Sequence, residues 1–178
     1  MRDAVAQLRP PNARSPVPRG KAGSKGLNVL GTMAHHPDLA RAFFTFNGHV
    51  LFATSLSDRQ RELVVLRVAH LRRSEYEWRQ HVLLAADAGM APEEVARVTE
   101  GPDAPGWDSL ERAILRATDE LVTQSTVSDM TWEALAVELR TEQLMDLIFT
   151  VGTYDLLAMA FNTFAIELDD DLTVGTGE

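Results

Sequence analysis

Apolar residues recur at helical spacing through nearly all of the chain beyond residue 27, and period-two runs of useful length are almost absent. HHPDLARAFFTFNGHVLFATS places Pro37 at a first helical position, where its missing N–H costs nothing, ahead of an apolar face. SLSDRQRELVVLRVAHLRR opens with Ser57 and Gln60 at capping-box spacing. The helix it predicts, about 58–72, is apolar nearly all round and so belongs at the centre of the fold. A break near Arg73 precedes a second helix from 75 to about 88, which Gly89 is suited to close. Pro92 opens a short helix, PEEVARVTE. After the loop GPDAPGW, Asp108 and Glu111 repeat the capping spacing ahead of ERAILRATDELVTQ. Ser128 caps SDMTWEALAVEL, and Thr141 caps a long last helix running to Glu167. The pattern predicts an all-α fold of about seven helices. An internal echo, E-x-x-x-L-R at 62–67 and 111–116, is short enough to arise by chance in helical sequence.

The second of the two central helices carries chemistry. At about 100° per residue, Ser74, Glu77 and His81 share one face, which Leu84, Ala85 and Ala88 continue. On the preceding helix Glu62 shares its face with Leu66 and Ala69. Packed antiparallel across their short turn, the two helices would aim two carboxylates and an imidazole into one semi-buried space. Such a cluster suits proton transfer, because burial and a second carboxylate raise a carboxyl pKa while a charged imidazole lowers it. The helix N-terminus favours the anion at Glu77, so Glu77 is expected to stay ionised while Glu62 or His81 titrates. A structural reading competes at every position. Ser74-x-x-Glu77 has the spacing of a capping box. His81 would serve equally as a hydrogen-bonded core histidine, and Glu62 has Arg59, Arg67 and Arg79 as candidate ion-pair partners. The enzymatic reading requires the three side chains to converge on a solvent-connected pocket of roughly a few hundred Å³.

Composition changes this picture in three ways. With 178 residues and 45% hydrophobic content, one domain with a real core is expected. The absence of cysteine removes disulfides, thiolate catalysis and thiolate metal ligation. The net charge of −9 is uneven: residues 1–26 carry +5 and the remainder −14, which argues against a nucleic-acid partner. Residues 1–26 are read as a flexible, basic, Pro/Gly-rich arm, mobile or strapped across a neighbouring subunit, without the apolar core of a secretory signal. Residues 27–170 form the helical domain and 171–178 a disordered tail. The longest apolar run, LMDLIFTVGTYDLLAMAF at 144–161, contains Asp146 and Asp155. That argues for a core or interface helix, not a membrane span, and for a soluble cytoplasmic protein. Gly152, Ala158 and Ala160 permit close helix approach and make this the candidate subunit contact. Tyr154, Asp155 and Asn162 are placed there to bond across a helix pair or to line a pocket.

The run ELVVLRVAHLRRSEYEWRQHVLLAADAGM, with MAHHPDLARAF upstream and GPDAPGWDSLERAILRATDEL and AMAFNTFAIELD downstream, resembles the carboxymuconolactone decarboxylase / alkylhydroperoxidase D-like superfamily over residues 27–170. The redox branch of that family carries a glutamate, then C-x-x-C, then a histidine four residues on. Laid on this chain, those positions fall on Glu62, Ser74, Glu77 and His81, with Tyr76 matching an aromatic within the motif. The glutamate and histidine are kept and both sulfurs are lost, which excludes a dithiol peroxidase. The resemblance implies an alkylhydroperoxidase D-like helical bundle around a central helical hairpin. It also implies a homo-oligomer (dimer, trimer or hexamer) acting on a small molecule without metal or organic cofactor, at a site between packed helices. For the decarboxylase reaction it implies loss of CO2 from a carboxylated unsaturated lactone, with reprotonation of carbon and stabilisation of a dienolate.

On this reading His81 is the acid/base, Glu62 orients it or shares its proton, and Glu77 positions substrate or water. Ser74, Tyr76 and a cation from Arg67 or Arg79 contact the substrate. Two carboxylates make a poor receptor for an anionic acid. A neutral lactone, enone or aromatic-derived metabolite fits better, with isomerisation, hydration or hydrolysis beside lyase chemistry. Two alternatives stay open. One is a non-catalytic oligomeric or binding protein that lost the redox cysteines. The other is a metal-dependent enzyme that joins Glu62, Glu77 and His81 to His35, His36 or His49, a set without a recognised ligand spacing such as HExxH.

Overall fold

A computed structural model describes residues 2–14 and 26–173. In chain order the helices are α1 (Arg2–Ala6), α2 (Leu27–Met33), α3 (Pro37–Gly48), α4 (Asp58–Arg72), α5 (Glu75–Asp87), α6 (Pro92–Val98), α7 (Ser109–Gln124), α8 (Asp129–Ala136), α9 (Thr141–Thr163) and α10 (Asp170–Thr173). A π-helical turn, His49–Ala53, extends α3. Among the described residues eight helices have seven residues or more, against about seven expected, and there is no strand.

The central hairpin forms as its caps predict. Ser57 Oγ accepts from the Gln60 N–H at 3.2 Å, and Gln60 Oε1 accepts from the Ser57 N–H at 2.9 Å. From Arg61 to Ala69 every residue of α4 is buried, so this helix runs through the middle of the bundle with α5, α7 and α9 packed around it. Arg73 ends it in the left-handed region at φ 52, and the Ser74 N–H closes on the Ala69 carbonyl at 2.9 Å. That one left-handed residue turns the chain directly into α5. At the far end of α5, Gly89 takes φ 82 and the Met90 N–H bonds the Ala85 carbonyl, a Schellman closure.

The last long helix departs from expectation at both ends. Arg140, not Thr141, is the N-cap, because Gln143 returns its side-chain oxygen to the Arg140 N–H at 3.1 Å. At the other end α9 stops at Thr163 rather than Glu167, where Ala165 turns the chain at φ 49 and Asn162 Nδ2 donates to the Arg72 carbonyl. By length and composition α9 could cross a membrane; here it packs along α4 and α7.

Within the stretch read as a basic arm, α1 packs on α3, and Ala4 is buried with Ala40 and Phe44. The chain passes so close that a Cβ on Gly48 would lie 2.6 Å from the Leu8 carbonyl oxygen. Residues 15–25 of the arm and 174–178 of the tail lie outside the described residues.

Candidate active site

Glu62 on α4 and His81 on α5 lie 19 residues apart, and the hairpin brings them together. His81 Nδ1 and Glu62 Oε2 are 2.6 Å apart, and Glu62 has no exposed surface. The other carboxylate oxygen, Oε1, accepts from Arg61 Nε at 3.0 Å. Arg61 is itself buried, and its Nη1 donates to the Leu51 carbonyl and to Asp58. Burial opposes the Arg61 charge, and Glu62, with Asp58 adding to it, carries the guanidinium above its ordinary value. With Glu62 accepting from both sides, Nδ1 carries the imidazole proton and Nε2 is left for chemistry. Tyr154 of α9 packs edge-on against the imidazole, ring centres 4.9 Å apart at 88°. Burial, then the Glu62 charge, push the Tyr154 phenol well above its ordinary range, so it stays neutral.

Beside this dyad lies a cavity of about 250 Å³ between α3, α5, α9 and the N-terminal segment. Its walls are largely apolar, with Phe44, Tyr76, Tyr154 and Phe161 among them, and Leu8 and Leu30 on the N-terminal side. Glu77 and His81 both line it; Glu62 stands behind His81. No lysine or arginine is among its described lining residues.

Glu77 differs from the sequence reading in two ways. It is 1% exposed and neither carboxyl oxygen has a protein hydrogen-bond partner, so the Ser74–Glu77 capping box does not form. The reason is local: the Ser74 N–H that Glu77 would accept from already closes on Ala69. The expected ionised Glu77 is also corrected. Burial, then the nearby Asp155 carboxylate, push its carboxyl well above the usual range, which favours the neutral acid over the anion that the helix N-terminus would hold.

Of the remaining expected contacts, Tyr76 lines the cavity, and its hydroxyl donates to Asp169 Oδ2 at 2.7 Å. Ser74 is buried but does not line the cavity; it borders a separate open depression with His70 and Trp78. Neither predicted arginine reaches the cavity. Arg67 is held by Asp119 at 2.6 Å and by the Val98 and Thr99 carbonyls, a structural tie between α4, α6 and α7. Arg79 sits 3.6 Å from Glu75 on the outer face of α5. Arg59 bonds Glu94 and Glu111.

The histidines of the metal alternative also lie elsewhere. His36 caps α3 by accepting from the Leu39 N–H, and His49 bonds Asp146. Among the described residues no group of three or more histidines and carboxylates is placed to hold a metal ion.

Two site residues escape the sequence reading. Arg61 is adjacent to Glu62, a spacing that helix geometry does not pair, and it reaches Glu62 only by folding its side chain along the helix. Asn47 lines the cavity with its Oδ1 buried and without a protein partner. Its signal was present: Ala40, Phe44 and Asn47 fall on one face of α3, and the first two are core.

The hairpin, the buried Glu–His pair at its base and the enclosing all-α bundle define the class of protein. Residues 37–120 match the Carboxymuconolactone decarboxylase family. Over that stretch, a little under half of its length, the chain is similar to this family, and its helical fold is alkylhydroperoxidase D-like, without cysteine. An alkylhydroperoxidase AhpD core protein, described as uncharacterized and peroxidase-related, from Ralstonia eutropha JMP134 is 21% identical, with 93% of this chain and 96% of that chain covered and a TM-score of 0.74. An uncharacterized peroxidase-related protein from Silicibacter sp. TM1040 is 13% identical, with coverage of 92% and 95% and a TM-score of 0.74. A variant of the debrominase Bmp8, in complex with 2,3,4-tribromopyrrole, is 15% identical, with coverage of 91% and 96% and a TM-score of 0.68. These likenesses show a shared fold. No curated protein matches the chain.

Proposed function

We propose that this protein is a cofactor-independent acid/base enzyme, a lyase or isomerase, acting on a small uncharged lactone or aromatic-derived metabolite. The observation that carries the reading is the pairing of Glu77 and His81 on one apolar cavity, with Glu62 and Arg61 behind the imidazole. A neutral carboxylic acid and an imidazole on one cavity wall can work together as an acid and a base. His81 Nε2 removes a proton from a carbon next to a carbonyl or ring system, and Glu62 holds the imidazolium that forms. Glu77, protonated, donates to the oxygen or ring atom on which negative charge develops. The largely apolar walls lower the local polarity and strengthen both interactions. The lack of a cation among the described lining residues disfavours a carboxylated lactone as substrate, so decarboxylation of an anionic acid is the weaker form of the reading. With no cysteine in the chain, a dithiol relay has no part in it. The debrominase among the structural neighbours was solved with a small halogenated pyrrole, a ring of the size class that this cavity holds.

The enzyme acts in the cytoplasm as a homo-oligomer. Met145, Phe149, Leu156 and Met159 leave one side of α9 exposed, and Phe46 of α3 stacks edge-on against Phe149 beside them. A second copy of the chain covers such a face more readily than solvent does. Light scattering on the purified protein checks this, and a monomer would contradict it.

The catalytic reading is tested by mass spectrometry of a metabolite mixture incubated with wild type and with His81→Ala. Wild type is expected to consume at least one uncharged lactone, enone or aromatic-derived compound, and His81→Ala to do so about 100-fold more slowly or worse. Equal rates remove His81 as the acid/base. A wild type that consumes nothing favours the non-catalytic oligomer.

A further inference from the structure

We propose that the cavity selects an uncharged ring bearing an N–H or O–H donor, and that Asn47 is the specificity residue that reads this donor through its Oδ1. The inference deepens the preceding one and rests on the same cavity being the substrate site.

Asn47 is 7% exposed, lies on the packed face of α3 and lines the cavity, and its carboxamide oxygen is buried and without a protein partner. Buried amides in folded proteins are hydrogen-bonded almost without exception, because water is given up on burial and must be replaced. The cavity that Asn47 lines offers the route by which a guest completes this oxygen. Glu77 presents the complementary case on the opposite helix: its two oxygens are also buried and without protein partners, and as a neutral acid it offers an O–H to a lone pair on the guest.

The rest of the wall defines what carries these groups. Four aromatic side chains, Phe44, Tyr76, Tyr154 and Phe161, supply faces and edges for a flat ring. Tyr76 and Phe161 are fixed edge to face at 5.2 Å, and Tyr154 is fixed against His81, so these surfaces are rigid. A cavity of about 150 Å³ is enough for benzene; this one, at about 250 Å³, admits a five- or six-membered ring with substituents. A charged guest meets no cation among the described lining residues, and a carboxylate would face Glu77 with the Asp155 charge nearby. The chemistry matched on every side is that of a phenol, a pyrrole or a hydroxylated enone.

Calorimetric titration with phenol, anisole and benzoate tests this without requiring turnover. Phenol and anisole differ in the donor, and benzoate adds charge. Wild type is expected to bind phenol at least tenfold more tightly than anisole, and benzoate least of all. In Asn47→Leu, phenol is expected to fall to the affinity of anisole. The titration reads binding alone, so a protein that turns nothing over can still show the preference, and a failed catalytic reading and a failed selectivity reading give different results. Equal binding of phenol and anisole by wild type overturns the proposal, as does benzoate binding tightest or failure of phenol to bind. These three results need no variant to fold. A preference that survives in a folded Asn47→Leu protein overturns the role of Asn47.

Discussion

The Glu77→Leu protein is expected to be more stable than wild type and inactive. Leucine fills a similar volume and removes two buried oxygens that no protein group satisfies. Deleting such groups is worth about 1–3 kcal/mol at neutral pH. The pH dependence has a definite sign. Between the ordinary carboxyl value of 4.5 and the raised value of the folded state, the native protein holds a proton on Glu77 that the unfolded chain has released. Wild-type stability at this group therefore falls as pH rises through that window, and the advantage of leucine grows with it. Below the window both states are protonated and the advantage is smallest. Urea denaturation of both proteins from about pH 4 to about pH 9 reads the effect. A leucine variant no more stable than wild type at any pH would mean that Glu77 is well satisfied where it sits. A residue that costs stability at the wall of a cavity is the pattern expected of a functional group, not a structural one.

The Glu62→Ala protein is expected to behave in the opposite way and lose about 3–5 kcal/mol, the usual result of removing one partner from a buried ion pair. Glu62 accepts from Arg61 on one side and His81 on the other, and without it both buried donors lose that partner. Asp58 and the Leu51 carbonyl still hold Nη1 of Arg61, so the damage concentrates on Nε and Nη2 and on the imidazole. A loss below about 1 kcal/mol would show that those two contacts suffice and that the dyad contributes little to folding. The two carboxylates thus separate by sign: one holds the hairpin together, and the other is tolerated by it.

Much of the fold was legible. The caps at Ser57 and Asp108 formed as their spacing predicts, and the all-round apolar helix at 58–72 proved central. The Glu62–His81 contact followed once the break at Arg73 was read as a turn between antiparallel helices. What local rules missed were competitions settled in three dimensions. Ser74 and Glu77 have capping-box spacing, but the closure of α4 takes the backbone N–H that the box requires. The helix N-terminus argues for an ionised Glu77, and burial overrides it. Arg67 looked available to a ligand, and Asp119 with two carbonyls from α6 and its C-cap holds it instead. Asn47 sat in plain view on an apolar face; what pattern alone does not tell is whether such an amide is bonded within the core or aimed at a hollow.

The account depends most on a single protonation state, since an acid and a base share the cavity only if Glu77 carries its proton at neutral pH. The infrared difference spectrum between wild type and Glu77→Gln at pH 7 measures this directly. The account predicts that wild type shows a carboxylic-acid carbonyl band that the glutamine variant lacks. A difference spectrum containing only carboxylate bands would contradict it.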